Sequence, residues 1–257
     1  MNDDKTTLFN EDPKYHSLWK QALPPLEHYI PLMYILSASD QNEKISISIR
    51  GNANGIFFDA RRRNEFLILK VIRSKEHQKM NWKNGLGETS QIAIFPPGAD
   101  LGQSDFLWRI SSAKISRPNS FSNFDNHDRF LTVLSGGALE LKTEGKEDVL
   151  LKPFSVHHFS GADKVSCERR GEEITDLGII YNRKWIEASM KVENAKGQTV
   201  KLSGGTHFIV CLENDLFVGE MRLKYLDCIR SQDVTDLKLS SSDHESKFAL
   251  IQILTRI

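Results

Sequence analysis

What most constrains the fold of this 257-residue chain is a succession of short apolar runs with turn residues in the gaps. "FLILKVI" (66–72), "SQIAIF" (90–95), "FLWRISSAKI" (106–115), "RFLTVLSGGALELK" (129–142) and "DVLLK" (148–152) open the series. "DLGIIYNR" (176–183), "HFIVCLE" (207–213), "LFVGEMRLKYLDCI" (216–229), "VTDLKL" (234–239) and "FALIQILTRI" (248–257) continue it. Runs of this length, spaced by Gly, Pro, Asn or Asp, pair as antiparallel strands and close into a sandwich or barrel. "LSGGALEL" followed by "DVLLKPFSVHHFSG" has the rhythm of a jelly roll: hairpin, charged turn, strand, turn. Only "RKWIEASMKVEN" (183–194) reads as a helix after residue 65.

The first 65 residues read differently, as an N-terminal extension to a main domain over 66–257. "HSLWKQAL" suits two helical turns that "PP" would stop. "KISISIR" (44–50) alternates like an edge strand and "GNANG" is a turn. "FDARRRNEF" carries Arg61, Arg62 and Arg63 in a row. A solvated linker is the plain reading of that run, and a docking patch for a protein partner is the other.

Lys+Arg and Asp+Glu both number 34, so the chain has no net charge and offers no electrostatic footprint for nucleic acid or an anionic membrane. Its longest apolar run, "IPLMYIL" (30–36), is far short of the roughly 20 residues of a bilayer span. "MNDDKTT" lacks the cationic start and apolar stretch of a secretory signal. Cys167, Cys211 and Cys228 are widely spaced and odd in number, which suits buried thiols in a reducing cytoplasm.

Three stretches offer chemistry. "NWKNGLGETSQIAIFPPG" (81–98) has the glycines of a phosphate loop, but Gly87 leads into a strand rather than a helix, so no helix N-terminus is there to hold a phosphate. What remains is a glycine turn presenting Trp82, Lys83, Asn84 and Thr89: an apolar wall, a cation and two hydrogen-bonding groups suited to a carboxylate or amide. In "DFLWRISSAKI", strand alternation puts Arg109 and Ser111 on one face and Trp108 on the other. Arg109 is then either a planar fork for a carboxylate or a surface cation paired with an acidic neighbour. In "NSFSNFDNHDRF", Arg129 is either a further polar pocket group or an ion-pair partner of Asp128.

Taken in order, these stretches carry a resemblance. Trp82, Lys83, Asn84, Gly85, Gly87 and Thr89 form W-K-N-G-x-G-x-T. Asp105, Phe106, Trp108, Arg109, Ser111 and Ala113 form D-F-x-W-R-x-S-x-A. Phe121, Ser122, Phe124, Asp128 and Arg129 follow, then Leu131, Val133, Leu134 and Gly136. The set resembles the HutD/Ves family over residues 66 to 257. The resemblance implies an all-β, RmlC-like cupin fold built as a bicupin of two cupin-type halves. It also implies bacterial small-molecule binding, with a regulatory link to histidine utilisation and no established reaction. On that basis Arg109 is the expected carboxylate clamp and Lys83 the second cation. Asn84, Thr89 and Ser111 would give directional hydrogen bonds and Trp82 the apolar wall, for a small carboxylated metabolite. Cupins commonly pair, so the class is compatible with a homodimer.

Leu86 stands where the family has a third glycine, and Asn119-Ser120 where it has Gly-Pro. In the later D-x-N-x-M-x-x-R pattern, Asp176 and Arg183 fit, while Gly178 replaces the Asn and Ile180 the Met. A metal cupin needs His-x-His, and this chain has only the adjacent His157-His158, whose side chains would leave a strand on opposite faces. No metal or cofactor is therefore expected. "GEEITD" (171–176) reads as a turn bearing solvated carboxylates, and no nucleophile elbow is present. A metal-independent cupin enzyme of the isomerase kind remains the alternative to a non-enzymatic binder, and a protein-interaction module is a third reading.

Overall fold

The computed structural model describes residues 45–52, 55–62, 68–82, 87–99, 101–102, 106–202, 204–232, 236–241 and 245–256. The helical reading of "HSLWKQAL", the third arginine Arg63, and Lys83 and Asn84 lie outside the described residues. The chain divides into two compact units, Met1–Asn64 and Glu65–Ile257. In the first, β1 (Ile45–Asn52) and β2 (Gly55–Arg62) form an antiparallel hairpin running from the pair Ile45–Arg62 to the pair Asn52–Gly55. The backbone at Arg61 and Arg62 is thus two rungs of a ladder rather than a linker. "KISISIR" supplied the partner that the run of arginines obscured.

The second unit begins with β3 (Ile68–Ile72), β4 (Gln78–Asn81), β5 (Gly87–Phe95), β6 (Trp108–Ile115) and the short β7 (Asn119–Ser120). It continues with β8 (His127–Thr143), β9 (Val149–Leu151), β10 (Val156–Ser160) and β11 (Val165–Asn182). Then come β12 (Ile186–Ala195), β13 (Thr199–Lys201), β14 (Thr206–Glu213), β15 (Leu216–Val218), β16 (Met221–Leu223), β17 (Cys228–Gln232), β18 (Asp236–Ser241) and β19 (Ser246–Thr255). The first group pairs in the order β10-β8-β11-β6-β5-β4, with β7 added on β11 and β9 on β8. The second forms sheets β12-β19-β14-β17-β3 and β13-β18-β15-β16. β3 precedes the first group in sequence yet pairs with β17 of the second, so the second group is closed by both ends of the unit. Among the described residues no helix is long and apolar enough to cross a membrane.

Two expectations are corrected. The segment 183–194 is not a helix: β12 pairs along its whole length with β19, from Ile186–Thr255 to Ala195–Ser246. Ile186 and Met190 are both buried, and a spacing of four satisfies a strand's period as well as a helix's, so the pattern could not decide. "GEEITD" is not a turn but part of β11, where the register with β8 shifts between Gly171 and Asp176. Glu172 and Glu173 are exposed as read, whereas Asp176 is buried.

That irregularity is held by glycines at the crossing of β8 and β11. A Cβ on Gly136, whose φ is +90°, would lie 2.0 Å from the Glu173 carbonyl oxygen, and one on Gly137 would lie 2.3 Å from that of Arg170. Gly136→Ala is therefore expected to destabilise the fold by roughly 2–4 kcal/mol, strain and overpacking together. Gly145, at φ +74°, has nothing within 4 Å of such a Cβ. Gly145→Ala isolates the strain, and the difference in denaturant midpoints measures the clash.

Hydrophobic contacts fill both groups. Ile115, Val133, Leu139, Leu141, Val165 and Ile174 belong to the core of the first, and Ile209, Leu216, Leu223, Ile229, Leu239 and Phe248 to that of the second. Trp108 joins them, stacked on Phe95 at 5.8 Å and edge-on to Phe208 of β14 at 5.5 Å. The three cysteines are buried and unpaired, and burial pushes the thiols of Cys167 and Cys211 up to about 11 and that of Cys228 to about 12.

Candidate functional site

A row of three residues across β8, β11 and β6 organises the site: Ile180 pairs with Arg129 on one side and Arg109 on the other. The next row is Leu131, Gly178 and Ser111. Residues two apart on a strand share a face, so Arg109 and Ser111 point where Arg129, Leu131, Asp176 and Gly178 point. Trp108, Ile110 and Ile179 take the opposite, wholly buried face. The shared face borders a cavity of about 830 Å³, walled also by Trp82, Thr89, Phe121, Phe124 and Phe159.

Of the expected site residues, the cavity brings together Trp82, Thr89, Arg109, Ser111 and Arg129. Trp82 donates from Nε1 to Thr89 Oγ1 at 2.7 Å, and its ring lies 3.0 Å from where a Cβ on Gly87 would sit. That contact, with the Lys114 carbonyl at 2.4 Å from the same point, is why the turn needs glycine at this position. Arg109 is only 7% exposed and donates from Nε to Gln91 Oε1 at 2.8 Å. Its reading as a surface cation paired with an acidic neighbour is thereby corrected.

Arg129, 6% exposed, donates from Nη2 to the Ser122 carbonyl. Its guanidinium carbon lies 5.6 Å from the Phe121 ring centre, 5.2 Å from Phe124 and 5.8 Å from Phe159. The alternative pairing with Asp128 does not occur, because neighbours on a strand leave on opposite faces. Asp128 instead meets Arg183 Nε at 3.1 Å. Arg183, although it fits the expected pattern, binds the backbone carbonyls of Asp125 and His127 outside the cavity.

The acid of the site is Asp176, 4% exposed. Its Oδ1 accepts the Ala113 N–H at 2.7 Å, and its own carbonyl accepts Ser112 Oγ at 2.6 Å. Among the described residues neither arginine forms a direct ion pair with it. Burial pushes the Asp176 carboxyl up to about 7, against the pull of the Ala113 N–H and the two guanidinium groups. Burial likewise brings Arg109 and Arg129 down to about 10, and for Arg129 the neighbouring Arg109 adds to the effect.

Asp176 thus holds its proton more tightly in the folded chain than in the unfolded one. The stability it confers is full below pH 4 and is lost as pH rises through about 7. Buried His77, His127 and His207 are shifted the other way by desolvation and oppose this trend near neutrality. The contribution of Asp176 is therefore read from the difference between wild type and Asp176→Asn. In chemical denaturation between pH 4 and 8, the wild type should lose stability relative to the variant as pH rises.

Sequence reasoning did not place Asp176, Gln91 or the three phenylalanines in the site. Asp176 was legible in principle, two residues from Gly178 and so on the same face; Gln91 and the rings have no local signal. His157 stacks on Phe159, and His158 turns away to meet Tyr181 Oη at 3.0 Å. Among the described residues no three His, Cys, Asp or Glu side chains converge as metal ligands would.

An all-β protein with two buried arginines on one cavity is the class these features define. The chain belongs to the HutD family, whose profile matches residues 74–249. It is 28% identical over 195 residues to an uncharacterized 21.2 kDa protein in the hutC 3′ region of Pseudomonas putida, covering 73% of this chain and 98% of that one. It is 30% identical over 130 residues to protein Ves of Escherichia fergusonii, covering 50% of this chain and 66% of Ves. The structure of HutD from Pseudomonas fluorescens SBW25, in a formate condition, is 26% identical with a TM-score of 0.64, over 74% of this chain and all of that one. Bacterial pirin YhhW from Escherichia coli, 10% identical with a TM-score of 0.55 over 74% of this chain and all of that one, shares the fold alone.

Proposed function

We propose that this protein reversibly binds a small carboxylated metabolite in the cavity between Arg109 and Arg129. The observation that carries the reading is the placement of two buried guanidinium groups on one cavity with no ion-pair partner among the described residues. Burying a cation costs several kcal/mol unless an anion compensates it, and Asp176, the buried acid lining the cavity, forms an ion pair with neither. A ligand carboxylate would supply the missing charge, held by the fork geometry that arginine offers. Ser111 and Thr89 would add hydroxyl donors, Thr89 Oγ1 itself accepting from Trp82 Nε1. Trp82 and Phe121 would wall the ligand's apolar part. Lys83 and Asn84, next to Trp82 in sequence, complete the proposed set.

In this reading the two strand groups are cupin-type halves, with the ligand in the first. Names such as HutD and the hutC-region protein support a link between the metabolite and histidine utilisation; a bacterial cytoplasm and a regulatory capacity belong to the same proposal. A thermal-shift screen against urocanate, formylglutamate, glutamate, histidine and simple sugars tests it. A ligand at 100 times its Kd adds about 2.7 kcal/mol of stability, a readily measured rise in Tm. Stabilisation by a carboxylate and not by neutral sugars supports the reading, and stabilisation by sugars alone overturns it. A second reading, a metal-independent isomerase-like enzyme, draws on Asp176: a buried carboxyl titrating near neutrality suits a general base. Turnover of a stabilising carboxylate would distinguish it.

A further inference from the structure

The carboxylate clamp leaves one polar group of the cavity without a task. Asp176 borders the cavity, is buried, and has one oxygen, Oδ1, engaged by the Ala113 N–H. Among the described residues Oδ2 has no hydrogen-bond partner and is not fully sealed from solvent. A fixed carboxylate oxygen facing a cavity without a donor is costly, and a ligand donor would meet it with a charge-assisted bond.

Position along the sheet sets this group near the clamp. The arginines flank Ile180, and Asp176 lies four residues earlier on the same strand and face, near enough for both guanidinium charges to act on its carboxyl although neither pairs with it directly. Between them is Gly178, which contributes no side chain to the cavity wall. A Cβ there would lie 2.9 Å from the Phe130 carbonyl oxygen, so the gap is built into the packing of β11 against β8. The cavity therefore carries its acid one open glycine row from its two cations, with aromatic walls at Trp82 and Phe121.

Charge defines the ligand further. With Asp176 ionised, the two arginines leave the described part of the cavity one positive charge in excess. A carboxylate that also carries a neutral donor meets the arginines and pairs the acid, whereas a second anionic group in the donor's place would be repelled by it. We propose that Asp176 is a specificity-determining residue that selects carboxylates bearing a neutral N–H or O–H donor close to the carboxylate. This rests on the carboxylate-binding reading above and adds to it which carboxylates are taken.

Rigid isosteric probes test the donor alone. Pyrrole-2- and pyrrole-3-carboxylate carry a ring N–H, while the furan-2- and furan-3-carboxylates carry an oxygen at the same place with the same charge and shape. Calorimetric titration of full-length protein at pH 8 should give one of the pyrroles roughly tenfold tighter binding than its furan counterpart, the worth of one charge-assisted hydrogen bond. Asp176→Asn keeps an acceptor for the Ala113 N–H but turns a donor toward the cavity, and should bring the ratio to parity or reverse it while furan binding persists. Equal binding of both rings to the wild type, or a pyrrole preference that survives in Asp176→Asn, overturns the inference and leaves the carboxylate reading standing. Failure of all four probes to bind the wild type overturns both.

Discussion

Arg109→Met should lose its affinity for small carboxylates while the free protein stays folded with at least wild-type stability. The two halves of this expectation come from the same physics. In the free protein Arg109 is a desolvated cation beside a second one, and replacing a buried charge by an apolar side chain of similar volume is commonly neutral or stabilising. Asp176 then loses one favourable neighbour and takes up its proton more readily, which keeps the cavity from holding an uncompensated anion. With ligand present the balance reverses. Losing one partner of a buried, hydrogen-bonded charge pair costs roughly 2–5 kcal/mol, a thirtyfold to several-thousandfold loss of affinity. Titration of a stabilising carboxylate, with Tm of the unliganded proteins measured alongside, checks both. A residue kept for structure would give the opposite result, a lowered Tm without ligand, and that outcome would remove Arg109 from the binding machinery.

Trp108→Ala has the largest stability effect we expect. The side chain is 1% exposed and packs on Phe95 within the first strand group and on Phe208 of the second. Truncating a buried aromatic leaves a cavity and costs about 3–5 kcal/mol, a large part of the 5–15 kcal/mol by which a domain is stable. Because the ring bridges β6 and β14, its loss should also loosen the coupling between the groups. Urea unfolding followed by intrinsic fluorescence and by circular dichroism would then give transitions that no longer coincide. Trp108→Phe should cost much less, since the indole Nε1 has no hydrogen-bond partner to lose. A cost below about 1 kcal/mol for Trp108→Ala would mean that the groups do not depend on this contact.

Much of the site was visible as alternation. Reading "WRISSA" as a strand put Arg109 and Ser111 on the face away from Trp108, and the cavity is lined accordingly. The same rule, applied one residue at a time, settles Arg129 against Asp128, whose side chains part to opposite faces. Where the pattern served two periods at once, as with Ile186 and Met190, it failed, and a ten-rung ladder with β19 made the choice.

The sequence by itself determined the kind of structure: short apolar runs broken by turn residues leave little but antiparallel sheet, and period-two alternation assigns each side chain to a face. Family membership was likewise written in the order of its motifs. Tertiary structure alone decided which faces meet. That Arg109 and Arg129, twenty residues apart, flank the same Ile180 follows from β11 entering between β6 and β8, a pairing no local pattern encodes. The same insertion buries Asp176, which in sequence stands among exposed glutamates. Burial and proximity set the charge of a carboxyl, and both are properties of strands brought together from distant parts of the chain.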